Sequence, residues 1–189
     1  MRLKLITPPT VEPITLSTAK DHLRVTHDLE DDLINGLIMS ARDLCERETG
    51  RALMPQTWEL SLNGFDDVMD LSIAPVISIT SVKYTDATGT EQTLPGTEYV
   101  LDNAGQYIAA VALASGKSWP TVHAGINTVR IRFQAGYADA ASVPPALKQW
   151  MLLQISHWYR NRESVNVGNI VSEMPFACNL LNAYRIYSI

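Results

Sequence analysis

The sequence predicts an α+β protein, in which a small helical domain (a long N-terminal helix, a late apolar helix and a C-terminal helix) is interrupted by an antiparallel β section. Three observations predict it. Apolar residues recur at helical spacing through Leu29–Cys45. From about 55 to 137 the chain turns to alternating, β-branched segments punctuated by turn residues. Helical spacing then returns after Pro144. The division is residues 1–54 with 138–189 as the helical part, its C-terminal segment forming an arm, and 55–137 as the inserted β section.

Residues 1–16 carry Pro8, Pro9 and Pro13 and are expected to be extended. Ser17 and Thr18 are candidate N-caps for a short helix from Ala19 to about Val25. The long helix is expected from Asp28 to about Thr49, where Gly50 stops it. Counting 100° per residue from Leu29, the residues Leu33, Ile34, Leu37, Ile38, Ala41, Leu44 and Cys45 share half of the cylinder with it. Asp31, Asp32, Asn35, Arg42, Asp43 and Glu46 occupy the other half. Acidic residues crowd the first turn, where the helix dipole favours them.

In the β section, Thr57–Leu62 alternates and ends at Asn63-Gly64. Val76–Tyr84 is β-branched and aromatic, but its alternation slips between Ile79 and Val82, which predicts a bulge. Tyr99–Leu101 and Tyr107-Ile108 are short strand candidates. Thr128–Phe133 is the clearest strand, with Val129, Ile131 and Phe133 on one face and Arg130 and Arg132 on the other.

Pro144-Pro145 opens a helix to about Arg160. Leu147, Trp150, Met151, Leu152, Leu153, Ile155, Trp158 and Tyr159 surround nearly all of it, leaving a polar strip of Gln149, Ser156 and Arg160. So apolar a helix needs cover on more than one side, and a neighbouring subunit is one natural cover. Residues 161–174 read as a flexible connection. A last helix is expected from Pro175 to about Tyr187, with Phe176, Leu180, Leu181, Tyr184 and Tyr187 along one stripe. The candidate interface residues are therefore Trp150, Leu153, Trp158, Phe176, Leu180, Leu181 and Tyr184.

Composition is that of a folded chain: of 189 residues, 46% are hydrophobic and 19% charged. No apolar run is long enough for a membrane span, and the N-terminus lacks the pattern of a secretory signal. Cys45 and Cys178 match no metal or disulfide spacing and are expected to be buried free thiols in a reducing compartment. Residues 1–129 hold nine Lys/Arg against seventeen Asp/Glu, whereas residues 130–189 hold six against three. An acidic body with a mildly basic end argues against tight general nucleic-acid binding and suits head-to-tail contact between unlike surfaces of identical copies.

Catalytic signatures are missing. The glycines at 89, 96, 105 and 116 are isolated turn glycines rather than a phosphate loop, no serine sits in a nucleophile elbow, and neither cysteine has a local partner. His22 and His27 stand near Asp28, Glu30, Asp31 and Asp32, but their spacing fits no helical ligand pair. No catalytic, cofactor or metal residue is assigned. A metal-dependent hydrolase built on those histidines is the weakest reading, below a structural interaction module without catalysis.

An ordered set of residues carries a resemblance. It begins with Pro8-Pro9, Glu12-Pro13-Ile14-Thr15-Leu16 and Ala19-Lys20-x-His22-Leu23-Arg24-Val25. It continues through Asp31-Asp32, Leu37-Ile38-x-x-Ala41-Arg42 and Glu46-x-x-Thr49-Gly50-Arg51-Ala52-Leu53. Gln56-Thr57-Trp58, Pro75-Val76-x-Ser78-Ile79-x-Ser81-Val82-x-Tyr84 and Ala135-Gly136-Tyr137 follow. Val143-Pro144, Leu147-Lys148-Gln149 and His157-Trp158-Tyr159-x-Asn161-Arg162-Glu163 complete it. The whole resembles the long form of the tailed-phage and prophage head–tail connector (adaptor, head-completion) family, in which a β section interrupts a helical domain.

The resemblance implies a structural virion protein that is not an enzyme and has no cofactor. Such a protein forms a ring, often of about twelve copies, beneath the portal. It extends the DNA exit channel and offers the platform to which the tail attaches. The implied partners are further copies of the chain, the portal protein and a tail-completion or tail-terminator protein. DNA passes through without sequence-specific binding, and no membrane is involved. The implied location is the head–tail junction, with assembly in the host cytoplasm.

Overall fold

The computed structural model describes residues 2–105, 108–161 and 175–186, with side chains described from residue 179 onward in the last stretch. The chain forms two compact units, one from residues 11–53 and 139–187, the other from residues 1–10 and 54–138. The first is helical and the second is built of antiparallel strands.

The helical unit contains α1 (Leu16–Leu23), α2 (Asp31–Thr49), α3 (Pro145–Arg160) and α4 (Pro175–Asn182). Helix α1 starts earlier than expected. Thr15, not Ser17 or Thr18, is the N-cap, because its extended backbone lets its hydroxyl accept from the Thr18 N–H at 3.2 Å. The helix stops at Arg24, which takes the left-handed conformation. Helix α2 starts later than expected, at Asp31. Leu29 therefore lies in the preceding turn and is 92% exposed rather than on the apolar face. Ile34, Ile38, Ala41 and Cys45 form the buried stripe, and Gly50, at φ 70°, ends the helix.

Arg42, expected on the solvent half, is buried. Its Nε donates to Glu12 at 2.8 Å, and its Nη1 reaches Asp43 at 2.6 Å and Glu46 at 3.2 Å. Burial pushes its pKa down, but the bond to Glu12 and the charges of Glu12, Glu46 and Asp43 more than offset that, so the guanidinium is held above its ordinary value. Glu46 also accepts from the Leu53 N–H at 2.7 Å, which ties the chain leaving α2 back to the helix.

The strand unit contains β1 (Arg2–Thr7), β2 (Gln56–Leu62), β3 (Val68–Leu71), β4 (Val76–Thr85), β5 (Glu91–Leu94), β6 (Tyr99–Asp102), β7 (Ala109–Leu113) and β8 (Val129–Ala135). One sheet has the order β1-β2-β8-β4-β5 and the other β3-β7-β6, all pairs antiparallel. Residues 1–10, expected with the helical part, belong here instead, because β1 pairs with β2 from Arg2↔Ser61 to Thr7↔Thr57. The slip in β4 is real: its register against β8 shifts between Val76 and Ser78 and again between Ile79 and Ser81. Strands β3 and β5 were not anticipated. The strand expected at Tyr107-Ile108 begins instead at Ala109, with Tyr107 outside the described residues.

Each sheet has one buried and one exposed face. Leu60, Ile131, Val82 and Leu94 lie in register on the inner face of the larger sheet, and Met69, Leu71, Ala109 and Val111 on that of the smaller. Phe65 stacks on Trp119 at 4.6 Å and meets the edge of Tyr84 at 5.8 Å, fixing two loops to β4.

Candidate interaction surfaces

Helix α3 is positioned by packing against α2, α1 and α4. Leu147, Trp150, Met151 and Ile155 form its buried face. Trp150 is only 5% exposed and Leu181, on α4, only 1%. Both therefore leave the candidate interface and join the core of the helical unit. Sequence alone could not separate them from their neighbours, because an almost uniformly apolar helix has no polar edge sharp enough to orient it.

Leu153 and Trp158 remain half-exposed on α3, as do Leu180 and Tyr184 near the C-terminus. Trp158 lines a shallow depression on α2 with Ser40, Asp43, Leu44 and Arg47. Leu33, on the same helix α2, is 40% exposed. The side chain of Phe176 lies outside the described residues. Tyr159 donates its hydroxyl hydrogen to Glu30, which holds the far side of α3 to the turn before α2.

The C-terminal segment is held by its own unit. Helix α4 ends at Asn182, short of the expected Tyr187. Beyond it, Arg51 Nε donates to the Tyr184 carbonyl at 2.7 Å, the Ile186 N–H donates to the Thr49 carbonyl at 2.8 Å, and Arg185 pairs with Glu48 at 3.0 Å. Arg51 is buried. Burying a guanidinium that bonds a backbone carbonyl makes this a firm tether, and residues 181–186 are part of the helical body.

The acidic stretch before α2 is structural. Lys20 donates to Asp28 at 2.6 Å and to Asp31 at 2.8 Å. The hydrogen bond from Lys20 holds Asp28 below the usual carboxylate range, while the bonds to Asp28 and Asp31 raise Lys20. His22 is half-buried and His27 exposed. Among the described residues no group of three His, Cys, Asp or Glu side chains converges as a metal site would require. Burial, with the nearby charges of Glu46 and Glu48, pushes the Cys45 thiol up to about 12, so it stays protonated and inert. No described helix is long and apolar enough to cross a membrane.

Sequence reasoning did not single out the two outward sheet faces. On the larger sheet, Arg2, Ser61, Arg130, Lys83 and Thr93 lie in register across five strands, and Lys4, Glu59, Arg132 and Ser81 form the next row. Lys83 and Arg130 both pair with Glu91, and Arg132 pairs with Glu59 at 2.7 Å. The face thus carries five cations and two carboxylates. On the smaller sheet the outward rows are Val68–Ala112–Val100 and Asp70–Ala110–Asp102. Val68 is 56% and Val100 52% exposed. The sheet alternation of Arg130 and Arg132 was legible, but the pairing that gathers the other cations beside them was not.

Comparison with known proteins places this architecture. The family of phage gp6-like head-tail connector proteins matches residues 13–92. No curated protein matches the chain. A chain in the virion of a native gene transfer agent particle is 25% identical, with a TM-score of 0.81 over 100% of this chain and 97% of that one. A chain from the neck of an empty gene transfer agent particle, computed with C6 symmetry, is 26% identical with a TM-score of 0.80 over the same shares. A chain from the neck of the native particle, computed with C12 symmetry, is 26% identical with a TM-score of 0.78 over the same shares. The family match covers α1, α2 and β2 to β4, and the likeness to neck chains extends over both units. Over residues 13–92 the chain is similar to phage gp6-like head-tail connector proteins, and over its whole length it is similar to chains of gene transfer agent necks.

Proposed function

We propose that the chain assembles as a ring of about twelve copies beneath the portal, extends the DNA exit channel and offers the platform on which the tail is built. Its role as a structural connector in the virion is supported by the family match over residues 13–92 together with the likeness to neck chains. The ring is supported by one observation above others: the fold matches, from end to end, a chain of a neck computed with C12 symmetry. The portal and a tail-completion or tail-terminator protein are the proposed neighbours, and DNA is the proposed passenger. The proposed role needs no catalysis.

Leu153, Trp158, Leu180 and Tyr184 are the proposed contact residues of the helical unit, with Phe176 retained as a candidate from sequence. The C-terminal arm proposed to reach the portal cannot include residues 181–186 while they stay tethered to Thr49 and Arg51.

The test is to mix the purified protein with its portal and image the product by electron microscopy. A closed ring of this chain seated on the portal is expected. Portal particles that never acquire the chain, across a concentration range up to tens of micromolar, overturn the reading.

A further inference from the structure

We infer that neighbouring copies in the ring meet through the two outward sheet faces, the cationic face of one copy lying on the acidic, apolar face of the next. This rests on the connector reading above and names the surfaces that would close the ring. The two faces carry opposite charge on one compact unit. The five-stranded face holds Arg2, Lys4, Lys83, Arg130 and Arg132 against Glu59 and Glu91, a surplus of three positive charges in a chain of net charge −5. The three-stranded face holds Asp70 and Asp102, both exposed, with Glu98 at its rim already neutralised by Lys117 at 2.8 Å.

The spacing agrees as well as the sign. Asp70, Ala110 and Asp102 lie in one row across three adjacent strands: acid, small residue, acid. Arg2, Ser61 and Arg130 lie in one row across three adjacent strands: base, small residue, base. In both rows the charged residues are two strand spacings apart, about 9.6 Å. The next row on each face, one side-chain repeat along the strands, is Val68–Ala112–Val100 on the acidic face and Lys4–Glu59–Arg132 on the cationic one. The aliphatic stems of Lys4 and Arg132 can cover the two exposed valines while their charged ends stay in water. Because the two faces differ, the contact is head-to-tail, the kind that closes into a ring when the rotation per copy allows.

Charge exchange tests the pairing in assembling particles. One variant is Asp70→Lys with Asp102→Lys, a second is Arg2→Glu with Arg130→Glu, and a third combines all four. Each two-site variant should fold, with a melting temperature within a few degrees of the parent's because the altered side chains, including Arg130 with its Glu91 pair, lie at the surface, yet lower the yield of tailed particles by about tenfold or more, since like charges then oppose each other across every contact. The four-site variant exchanges the signs of the two faces and should recover most of the loss. If a reversal lowers the melting temperature by more than a few degrees, the neutral pairs Asp70→Asn with Asp102→Asn and Arg2→Gln with Arg130→Gln take its place, with a smaller loss expected for each.

Either two-site variant folding and assembling normally overturns the pairing, as does a four-site variant no better than its parents. A cationic face that instead meets DNA gives its own pattern, in which only the Arg2/Arg130 variant is impaired and the four-site variant does not recover. Particles made without the chain separate the two levels of inference. If they carry tails, the connector reading fails. If they do not, and the two-site variants assemble, only the face assignment fails.

Discussion

Gly136 is the position at which a single added carbon should do most damage. It follows the last residue of β8, has φ +132°, and donates its N–H to the Pro75 carbonyl at 2.8 Å. A Cβ placed on it would lie 2.2 Å from the Met54 carbonyl oxygen, 2.4 Å from the Met54 carbonyl carbon and 2.8 Å from the Pro55 nitrogen. These are backbone atoms, so no side chain can swing away. Two costs therefore add in Gly136→Ala: a backbone conformation that L-residues rarely adopt, worth about 1–3 kcal/mol, and the displacement of the chain where it enters β2. Together they should remove about 3 kcal/mol or more, a large share of the stability of a typical domain.

Urea denaturation is the assay, followed by circular dichroism and tryptophan fluorescence. Trp58 and Trp119 report on the strand unit, and Trp150 and Trp158 on the helical unit. At a slope of about 2 kcal/mol per molar urea, the strand-unit midpoint should fall by about 1.5 M. Gly89→Ala is the control, because it has φ +87° but open space around the added carbon. A loss under about 1 kcal/mol for Gly136→Ala, or one no larger than for Gly89→Ala, refutes the reasoning.

Further outcomes follow from the same structure. Gly36→Ala, in an exposed turn of α2 with nothing near the added carbon, should stabilise the helical unit by about 0.5–1 kcal/mol, read as a higher urea midpoint. Trp150→Ala should cost about 3–5 kcal/mol in the monomer, since that side chain is core. Trp158→Glu should leave the monomer folded and weaken ring formation, as measured by light scattering with the portal, and a fully assembled Trp158→Glu ring removes Trp158 from the contact. Asp86 is held below the usual carboxylate range by hydrogen bonds from Thr88 and Gln92 and from the Thr90 backbone. A depressed folded-state pKa contributes stability above the ordinary aspartate value that is lost as pH falls through the folded one. The β4–β5 hairpin should therefore loosen below about pH 4, read as faster amide exchange at Thr88 and Thr90, and Asp86→Asn should remove that dependence.

The helices were legible in sequence where chemistry repeats at one spacing, as in Ile34, Ile38, Ala41 and Cys45 ending at Gly50. The β8 strand was legible because Val129, Ile131 and Phe133 alternate with Arg130 and Arg132. Strands β3 and β5 escaped notice because four residues give too short a pattern. The extent of β7 over Ala109–Leu113 escaped notice because alanine carries little β preference in sequence. Membership of β1 in the strand unit depends on pairing with residues fifty or more positions away, which no local pattern encodes. The contact residues were legible only as apolar positions. Burial of Trp150 and Leu181 against exposure of Leu153 and Trp158 is decided by the neighbours of α3, and the cationic sheet face by strand order.

Met54 and Gly136 touch, so the chain leaves for the strand unit and returns from it at nearly one point. A module spliced in at a single locus can usually be cut out and the gap joined by a short turn. Here such surgery would strand β1, whose one neighbour among the described strands, β2, departs with the excised piece. The strand unit is thus sewn to the chain at two places, and a trimmed protein that keeps residues 2–7 should expose a sticky hydrogen-bonding edge and aggregate, whereas one that drops them as well should remain dispersed.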